Sequence, residues 1–338
     1  MKIFNKSSIA WTISALFLVA ATSCSKDKPT EQSPSGSQIL FTSEQAGLTV
    51  KSALNIKSDF VADAGSTLKT TINGVATSWI AGTDKTGIYS EEARDATSGG
   101  GSRIVNDPYT ANTSALSSWF TATTPMYWGA ASTTHHFYAY YPFTAGSPEA
   151  ATVPVGLLST QTQSAANNFT HIGGLDFLVA TPITVTSPSN TGPTTSGDGS
   201  VHLTYNHLFS IVEFDIKGSG APLNLNGIRL RGTALALAGA FIDIKQATPV
   251  SGVPYALAGG GSKADAVIVN LTSPASLTST YTDTKVYMVI YPGFAGTCNI
   301  DFTKDGGSTW PNTVAKVAPS GGFLRGQYYV VTVDAGAL

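Results

Sequence analysis

Residues 201–218 read VHLTYNHLFSIVEFDIKG. Val201, Leu203, Tyr205, Phe209 and Ile211 share one parity, and the apolar set then passes to Val212, Phe214 and Ile216. A period of two with one change of phase is a strand pattern, and the phase change calls for a bulge or for a central strand covered on both faces. Shorter runs of the same character lie upstream: ILF at 39–41, LTV at 48–50, ALNI at 53–56, FVA at 60–62, WIAG at 79–82, TGIYS at 86–90, MYWGA at 126–130, HHFYAYYPF at 135–143 and DFLVATPITVT at 176–186. Downstream come GIRLRG at 227–232, ALAGAFIDIK at 236–245, AVIVNL at 266–271, KVYMVIYPG at 285–293, CNIDFT at 298–303 and GQYYVVTVDA at 326–335. No segment requires a long helix, so the expected class is all-β.

Composition agrees with that class. Of 338 residues 34 are Gly and 17 Pro, while hydrophobic residues make up 42% and aromatics 10%, too many for a disordered chain. Charged residues reach only 12%, against roughly 25% in ordinary soluble domains, and the net charge is -2. Nucleic acid is excluded as an expected partner, because no basic surface is available to neutralise phosphates. At about 150 residues per domain the length suits two units. The stretch SPSNTGPTTSGDGS at 187–200 is the longest Pro/Gly/Ser/Thr-rich interruption and places the boundary between them. The expectation is a tandem of β-sandwiches, 38–195 and 196–338, with about seven strands each.

The first residues read differently. Lys2 and Lys6 precede IAWTISALFLVAA at 9–21, an apolar run too short to span a bilayer, which takes about 20 residues. Ala21-Thr22-Ser23-Cys24 follows, and this resembles the lipobox of bacterial lipoproteins. That resemblance implies a signal peptide over 1–23, acylation (palmitate among the chains) of Cys24, and a polar tether over 24–37. Several acyl chains hold a protein to a membrane where one does not. The other reading is ordinary cleavage after Ala21, with Cys24 an incidental thiol.

No catalytic constellation emerges. Cys24 and Cys298 form no disulfide framework, and Cys298, opening an apolar strand, reads as a small buried residue. His135 and His136 are adjacent, and His202 and His207 are an odd number apart, so each pair points to opposite faces of a strand; His171 stands alone. No metal and no cofactor is expected. Glu213 and Asp215, two apart on one strand, read as solvated neighbours, and Asp176 as an isolated acid, not as an acid–base pair in a cleft. Glu91–Asn106 reads as an exposed loop, since Gly99 to Gly101 lacks the Lys-Ser/Thr ending of a phosphate cradle. No G-x-S-x-G elbow surrounds any serine.

Taken in order, the lipobox at Cys24, ILFTSEQ at 39–45, TSWIAGTDKTGIYS at 77–90, FYAYYPF at 137–143, DFLVA at 176–180, NHLFSIVEFDI at 206–216 and GQYYVVTV at 326–333 resemble the fimbrillin-like surface lipoproteins of Bacteroides-type bacteria, the type V pilins of the major and minor fimbrillin superfamily. The resemblance implies two transthyretin-like β-sandwiches and a role in assembly, not catalysis. It implies a subunit or adhesin of a fimbria on the outer membrane, with other fimbrial subunits, the membrane through the lipid anchor, and a receptor on a host or bacterial surface as partners. In that family a first strand leaves its groove after proteolysis and a neighbour's strand replaces it, a form of β-augmentation.

By position the leaving strand is 39–50, with Ile39, Leu40, Phe41, Leu48 and Val50 as its apolar contacts and Lys51-Ser52 as the cleavage point. Burying those five side chains would contribute about 8–15 kcal/mol gross. The family carries arginine at the cut, whereas Arg94 is the first arginine here. Either a broader trypsin-like enzyme cuts after Lys51, or the subunit stays uncut as a lipid-held base. Tyr329, Val331 and Val333 alternate on one face of the last strand, as a donated strand requires; an ordinary terminal strand has the same pattern. The rival reading is a carbohydrate-binding surface lipoprotein that stacks sugars on Trp119, Trp128 or Trp310.

Overall fold

A computed structural model describes residues 38–45, 49–50, 78–95, 106–129, 131–147, 149–188, 200–219, 223–246 and 255–336. The expected signal peptide, Cys24, the tether, Leu48, Lys51 and Ser52 lie outside the described residues, as do the runs at 53–62. The strands are, in chain order, β1 Leu40–Gln45, β2 Thr49–Val50, β3 Lys85–Tyr89, β4 Arg94–Asp95, β5 Asp107–Ala111, β6 Ser117–Thr121, β7 Met126–Tyr127, β8 Thr134–Tyr141, β9 Val153–Leu157, β10 Thr160–Gln163, β11 Leu178–Ala180 and β12 Ile183–Thr186. They continue with β13 Ser200–His207, β14 Ser210–Lys217, β15 Leu223–Ile242, β16 Leu257–Leu277, β17 Lys285–Ile290, β18 Thr297–Thr303, β19 Asn312–Val317 and β20 Gln327–Asp334. Among the described residues the only helices are two short 3-10 turns, Ala150–Thr152 and Thr170–Gly174. The protein is all-β.

One sheet runs β11-β13-β1-β6-β5-β3-β8-β12, and β11 also pairs with β8, which joins the path back on itself. It wraps a core rich in aromatic rings. Trp79, wholly buried, sets its ring edge-on to Phe120 at 5.1 Å, Tyr205 at 5.1 Å and Tyr141 at 5.4 Å. The other large sheet, β10-β16-β15-β18-β19 with β9 paired to β15, faces the four-stranded sheet β17-β14-β20-β2. Val212, Phe214, Ile216, Leu230, Ile300, Phe302 and Val331 fill the space between those two. A third cluster, including Tyr140, Val155, Phe177, Ile211, Tyr287 and Tyr328, draws on both halves of the chain. The expected boundary at 195/196 lies outside the described residues. Strands from either side of it share sheets: β13 pairs with β1 and β11, and β9 and β10 pair with β15 and β16.

The phase change in 201–218 has a specific cause. β13 alternates buried and exposed residues, Leu208 and Phe209 turn the chain, and β14 resumes in a different sheet with both faces covered. The run is therefore two strands in two sheets, the second of them two-faced. The reverse happens at GIRLRG and ALAGAFIDIK. These are one strand, β15, that stays paired with β16 across a register shift between Arg231 and Ala236, where Ala234 takes φ +57° and its N–H donates to Asp265 Oδ1 at 2.9 Å. The expected loop at 91–106 begins as β4, which pairs with β7, and Ala93 is buried; 96–105 lie outside the described residues. In β3, Gly87 is required, because a Cβ there would lie 2.3 Å from Asn106 Oδ1 and 2.4 Å from Tyr140 Cε1.

β17 is an edge strand whose outward backbone groups are all taken. Lys285 N–H donates to Asn167 Oδ1 at 2.9 Å, and its carbonyl accepts from Asn167 N–H at 2.9 Å and Gln163 Nε2 at 3.0 Å. Tyr287 N–H donates to Gln163 Oε1 at 2.8 Å, and its carbonyl accepts from His171 Nε2 at 3.1 Å. Val289 donates to Gln161 Oε1 at 3.0 Å and accepts from Gln161 Nε2 at 2.6 Å. Side-chain amides thus do the work of a missing neighbour strand.

Glu213 and Asp215 are not solvated, contrary to expectation, because β14 lies between β17 and β20 and its second face is also covered. Lys285 Nζ binds Glu213 Oε1 and lies 3.3 Å from Asp215 Oδ1, while Tyr328 OH donates to Glu213 Oε2. Burial alone would raise the Glu213 carboxyl, but hydrogen bonds from Asp215, Lys285 and Tyr328 hold it below its ordinary range. Burial, with Glu213 alongside, pushes Asp215 up to about 7. One lysine neutralises one of two carboxylates, so the second keeps its proton longer.

Two outcomes are expected. Trp79→Ala should cost about 3–5 kcal/mol in urea unfolding, since it empties the centre of the ring cluster. Because the folded-state value of Asp215 lies above the ordinary 3.8, its stabilising proton is fully held below that pH and is lost as pH rises through about 7. Thermal midpoints of Asp215→Asn should therefore gain on those of the parent across that interval; a constant difference would count against the shared proton.

Candidate functional site

β1 lies inside its sheet, parallel to β13 on one side and antiparallel to β6 on the other. Phe41 is in register with Val201 and Phe120, Thr42 with His202 and Trp119, and Ser43 with Leu203 and Ser118. Just before the strand, Ile39 N–H donates to Met126 O at 2.9 Å, and just inside its end Gln45 N–H donates to Leu116 O at 3.1 Å. Both backbone edges of β1 are occupied, and it occupies the edges of β13 and β6 in turn.

Alternation decides which side chains fill the groove. Ile39 and Phe41 are each 1% exposed, and the Phe41 ring stands edge-on to Tyr109 at 4.9 Å and Phe137 at 5.5 Å. Ser43 and Gln45 continue the inward row as buried polar residues, with Ser43 Oγ donating to Ser118 O at 3.4 Å. Leu40 points the other way and is 50% exposed, so it is not one of the groove contacts expected of it; adjacent residues of a strand cannot share a face. Among the described side chains the apolar contribution is that of Ile39 and Phe41, about 3–6 kcal/mol gross.

The chain leaves β1 for another sheet. Thr49 and Val50 form β2, which pairs in parallel with Gln327 and Tyr328 at the outer edge of β20. Lys51 follows directly and, with Ser52, lies outside the described residues. β20 is thus held between β2 and β14. Tyr329, Val331 and Val333 do share one face, and that face lies in the protein's own core: Tyr329 stands edge-on to Phe323 at 5.1 Å, and its hydroxyl accepts from Leu324 N–H at 2.8 Å.

Other candidates for chemistry resolve into structural roles. Among the described residues no three His, Cys, Asp or Glu side chains form a group that could hold a metal. His207 Nδ1 meets Asp176 at 2.9 Å in a buried pair, and His136 Nδ1 meets Glu92 Oε1 at 2.9 Å. Adjacency and parity in the sequence carry no signal for either partnership, which forms between neighbouring strands: Asp176 stands just before β11 beside β13, and Glu92 just after β3 beside β8. Cys298 is buried as expected; burial pushes its thiol up to about 11, and its Sγ donates to Lys316 O at 3.4 Å. Trp128 is fully buried against His135 and Phe137, so it offers no sugar platform. Trp310 is partly covered by the Arg229 guanidinium, 4.4 Å from its ring centre. Trp119 is 54% exposed.

Comparison with known proteins agrees with this architecture. Residues 69–337 match the model of the fimbrillin-like family. A structure from Bacteroides uniformis described as a cell adhesion protein is 18% identical with TM-score 0.50, over 76% of this chain and 87% of that one. Another from Bacteroides ovatus, described in the same words, is 15% identical with TM-score 0.50, over 88% and 92%. At these identities the likeness speaks to the fold. No curated protein matches the chain. Since the family match takes in both halves of the chain, and the solved structures share its all-β fold, the protein belongs to the fimbrillin-like family.

Proposed function

We propose that the protein is a structural subunit or adhesin of a cell-surface fimbria, made as a lipid-anchored precursor and assembled with other fimbrial subunits by donor-strand exchange. The observation that carries this reading is the placement of β1: a six-residue strand, near the start of the described chain, filling an interior slot between β13 and β6. If β1 leaves, two sheet edges and the pocket of Ile39 and Phe41 are uncovered together, and only another strand with large apolar residues two apart can cover them.

The position of β2 supports the same reading. A cut after Lys51 severs one segment that contains both β1 and β2, so the slot beside β6 and the outer edge of β20 are freed by one event. Cys24 lies on the severed side, so in this reading the same cut parts the subunit from its lipid. An uncut copy stays on the outer membrane and serves as the base. The face of β20 carrying Tyr329, Val331 and Val333 stays in its own core, and β20 takes part through its backbone edge.

Native trypsin treatment of the chain from Cys24 tests this. The expected result is an early cut after Lys51, release of the short segment and a ladder of SDS-resistant multimers; because trypsin also cuts after Lys57 and Lys69, the variant with all three lysines changed to alanine should give neither. Phe41→Ala, which removes the larger of the two plug side chains, should speed release and lower the thermal midpoint of the uncut chain. A segment that stays bound after cutting, or a ladder of equal strength from the triple lysine variant, would overturn the exchange.

A further inference from the structure

The outward face of β13, β1 and β6 has a composition that the assembly reading does not use. Its side chains form a grid: Ser200 and Leu40 in one row, His202, Thr42 and Trp119 in the next, Thr204, Glu44 and Ser117 in the third. Trp119 lies at the centre of one side, half exposed, with half-exposed Leu40 diagonal to it on β1. Around it are hydroxyl, amide and imidazole groups held in place. Thr42 Oγ1 and His202 Nδ1 are 3.1 Å apart, and Asn112, beyond Trp119, donates from Nδ2 to Trp119 O at 3.2 Å and to Thr121 Oγ1 at 3.1 Å. The three strands contain no lysine and no arginine, and Glu44 is their one carboxylate.

We propose that this face binds a neutral oligosaccharide, with one sugar ring stacked on Trp119 and its neighbour reaching Thr42 and His202. The aromatic face takes the apolar C–H side of a pyranose, and the flanking side chains supply both donors and acceptors for hydroxyls. From Trp119 to His202 is two strand spacings, about 10 Å, the reach of two linked rings. Charge sets the class. With no lysine or arginine on these strands to meet a sulfate or carboxylate, and with Glu44 to repel one, the face selects against sulfated and sialylated chains. A flat row of rigid strand side chains also keeps the ordering cost of binding small. Trp119, Asn112, Thr121 and His202 lie outside the segment that a cut after Lys51 would sever, whereas Thr42 and Glu44 lie on β1 within it, so the site is complete in the uncut chain whether or not the assembly reading holds.

The test uses the uncut chain on an array of neutral, sialylated and sulfated oligosaccharides, followed by titration with the neutral chain retained best. Retention of neutral chains alone is expected. Trp119→Ala should weaken binding by about tenfold or more while Trp119→Phe keeps most of it, and Trp310→Ala should change nothing. Trp119 is exposed, so both Trp119 variants should keep the parent's thermal midpoint. The bound sugar should also protect one tryptophan from acrylamide quenching, and Trp119→Phe should lose that protection. An array blank for neutral chains, preference for charged chains, or equal binding by Trp119→Ala would overturn the proposal. So would a blank array with self-association of the uncut chain that Trp119→Ala abolishes, which would make the face a contact between copies.

Discussion

A strand inside a sheet has two rows of backbone N–H and C=O groups to satisfy, and in this protein β1 satisfies those of β13 and β6 as well as its own. The path β11-β13-β1-β6-β5-β3-β8 closes through the pairing of β11 with β8, so β1 is one member of a closed circuit of hydrogen bonds. Aromatic contacts of that core join residues on different strands of the circuit. Phe41 meets Tyr109 and Phe137, and Trp79 meets Tyr205 and Phe120, only while the circuit keeps its width. The slot of β1 therefore cannot be empty for long without loss of the ring cluster beside it.

Charge is used sparingly and is placed where strands must be joined. Asp301, fully buried, receives Arg229 Nε at 2.7 Å and Arg231 Nε at 2.6 Å, which ties β15 to β18, and Thr313 on β19 donates to its other oxygen at 2.7 Å. Glu213, Lys285 and Tyr328 tie β14 to β17 and β20 in the same way. These groups cross-link neighbouring strands at single points and leave the broad faces apolar, which is how a chain with 12% charged residues keeps three cores.

Strands with dense β-branched or aromatic runs were legible in the sequence: HHFYAYYPF became β8, KVYMVIYPG became β17 and GQYYVVTVDA became β20. β10 was not, because its sequence TQTQ has no apolar residue; its glutamines are buried by bonding the β17 backbone, and pairing of that kind leaves no hydrophobic period. DPYTA and SSWFT, β5 and β6, are too short and too polar on their outer face to stand out. For the candidate site, the period of two in the sequence sends Ile39 and Phe41 to one face and Leu40 to the other, as the structure has them. The handover at Leu208 and Phe209 was visible only as a change of phase, since the same pattern describes a bulge within one sheet and a step between two.

The amide-sealed edge at β17 makes the four-stranded sheet asymmetric. With Asn167, Gln161, Gln163 and His171 holding every outward group of Lys285, Tyr287 and Val289, a further strand finds nothing to bond there. Among the described residues the opposite margin, β20, is lined only by the two residues of β2. Growth of this sheet by outside chains can proceed from one margin alone, so any fibre built through it has a head and a tail from its first repeat, and side-by-side clumping through the sealed margin is prevented by four ordinary side chains.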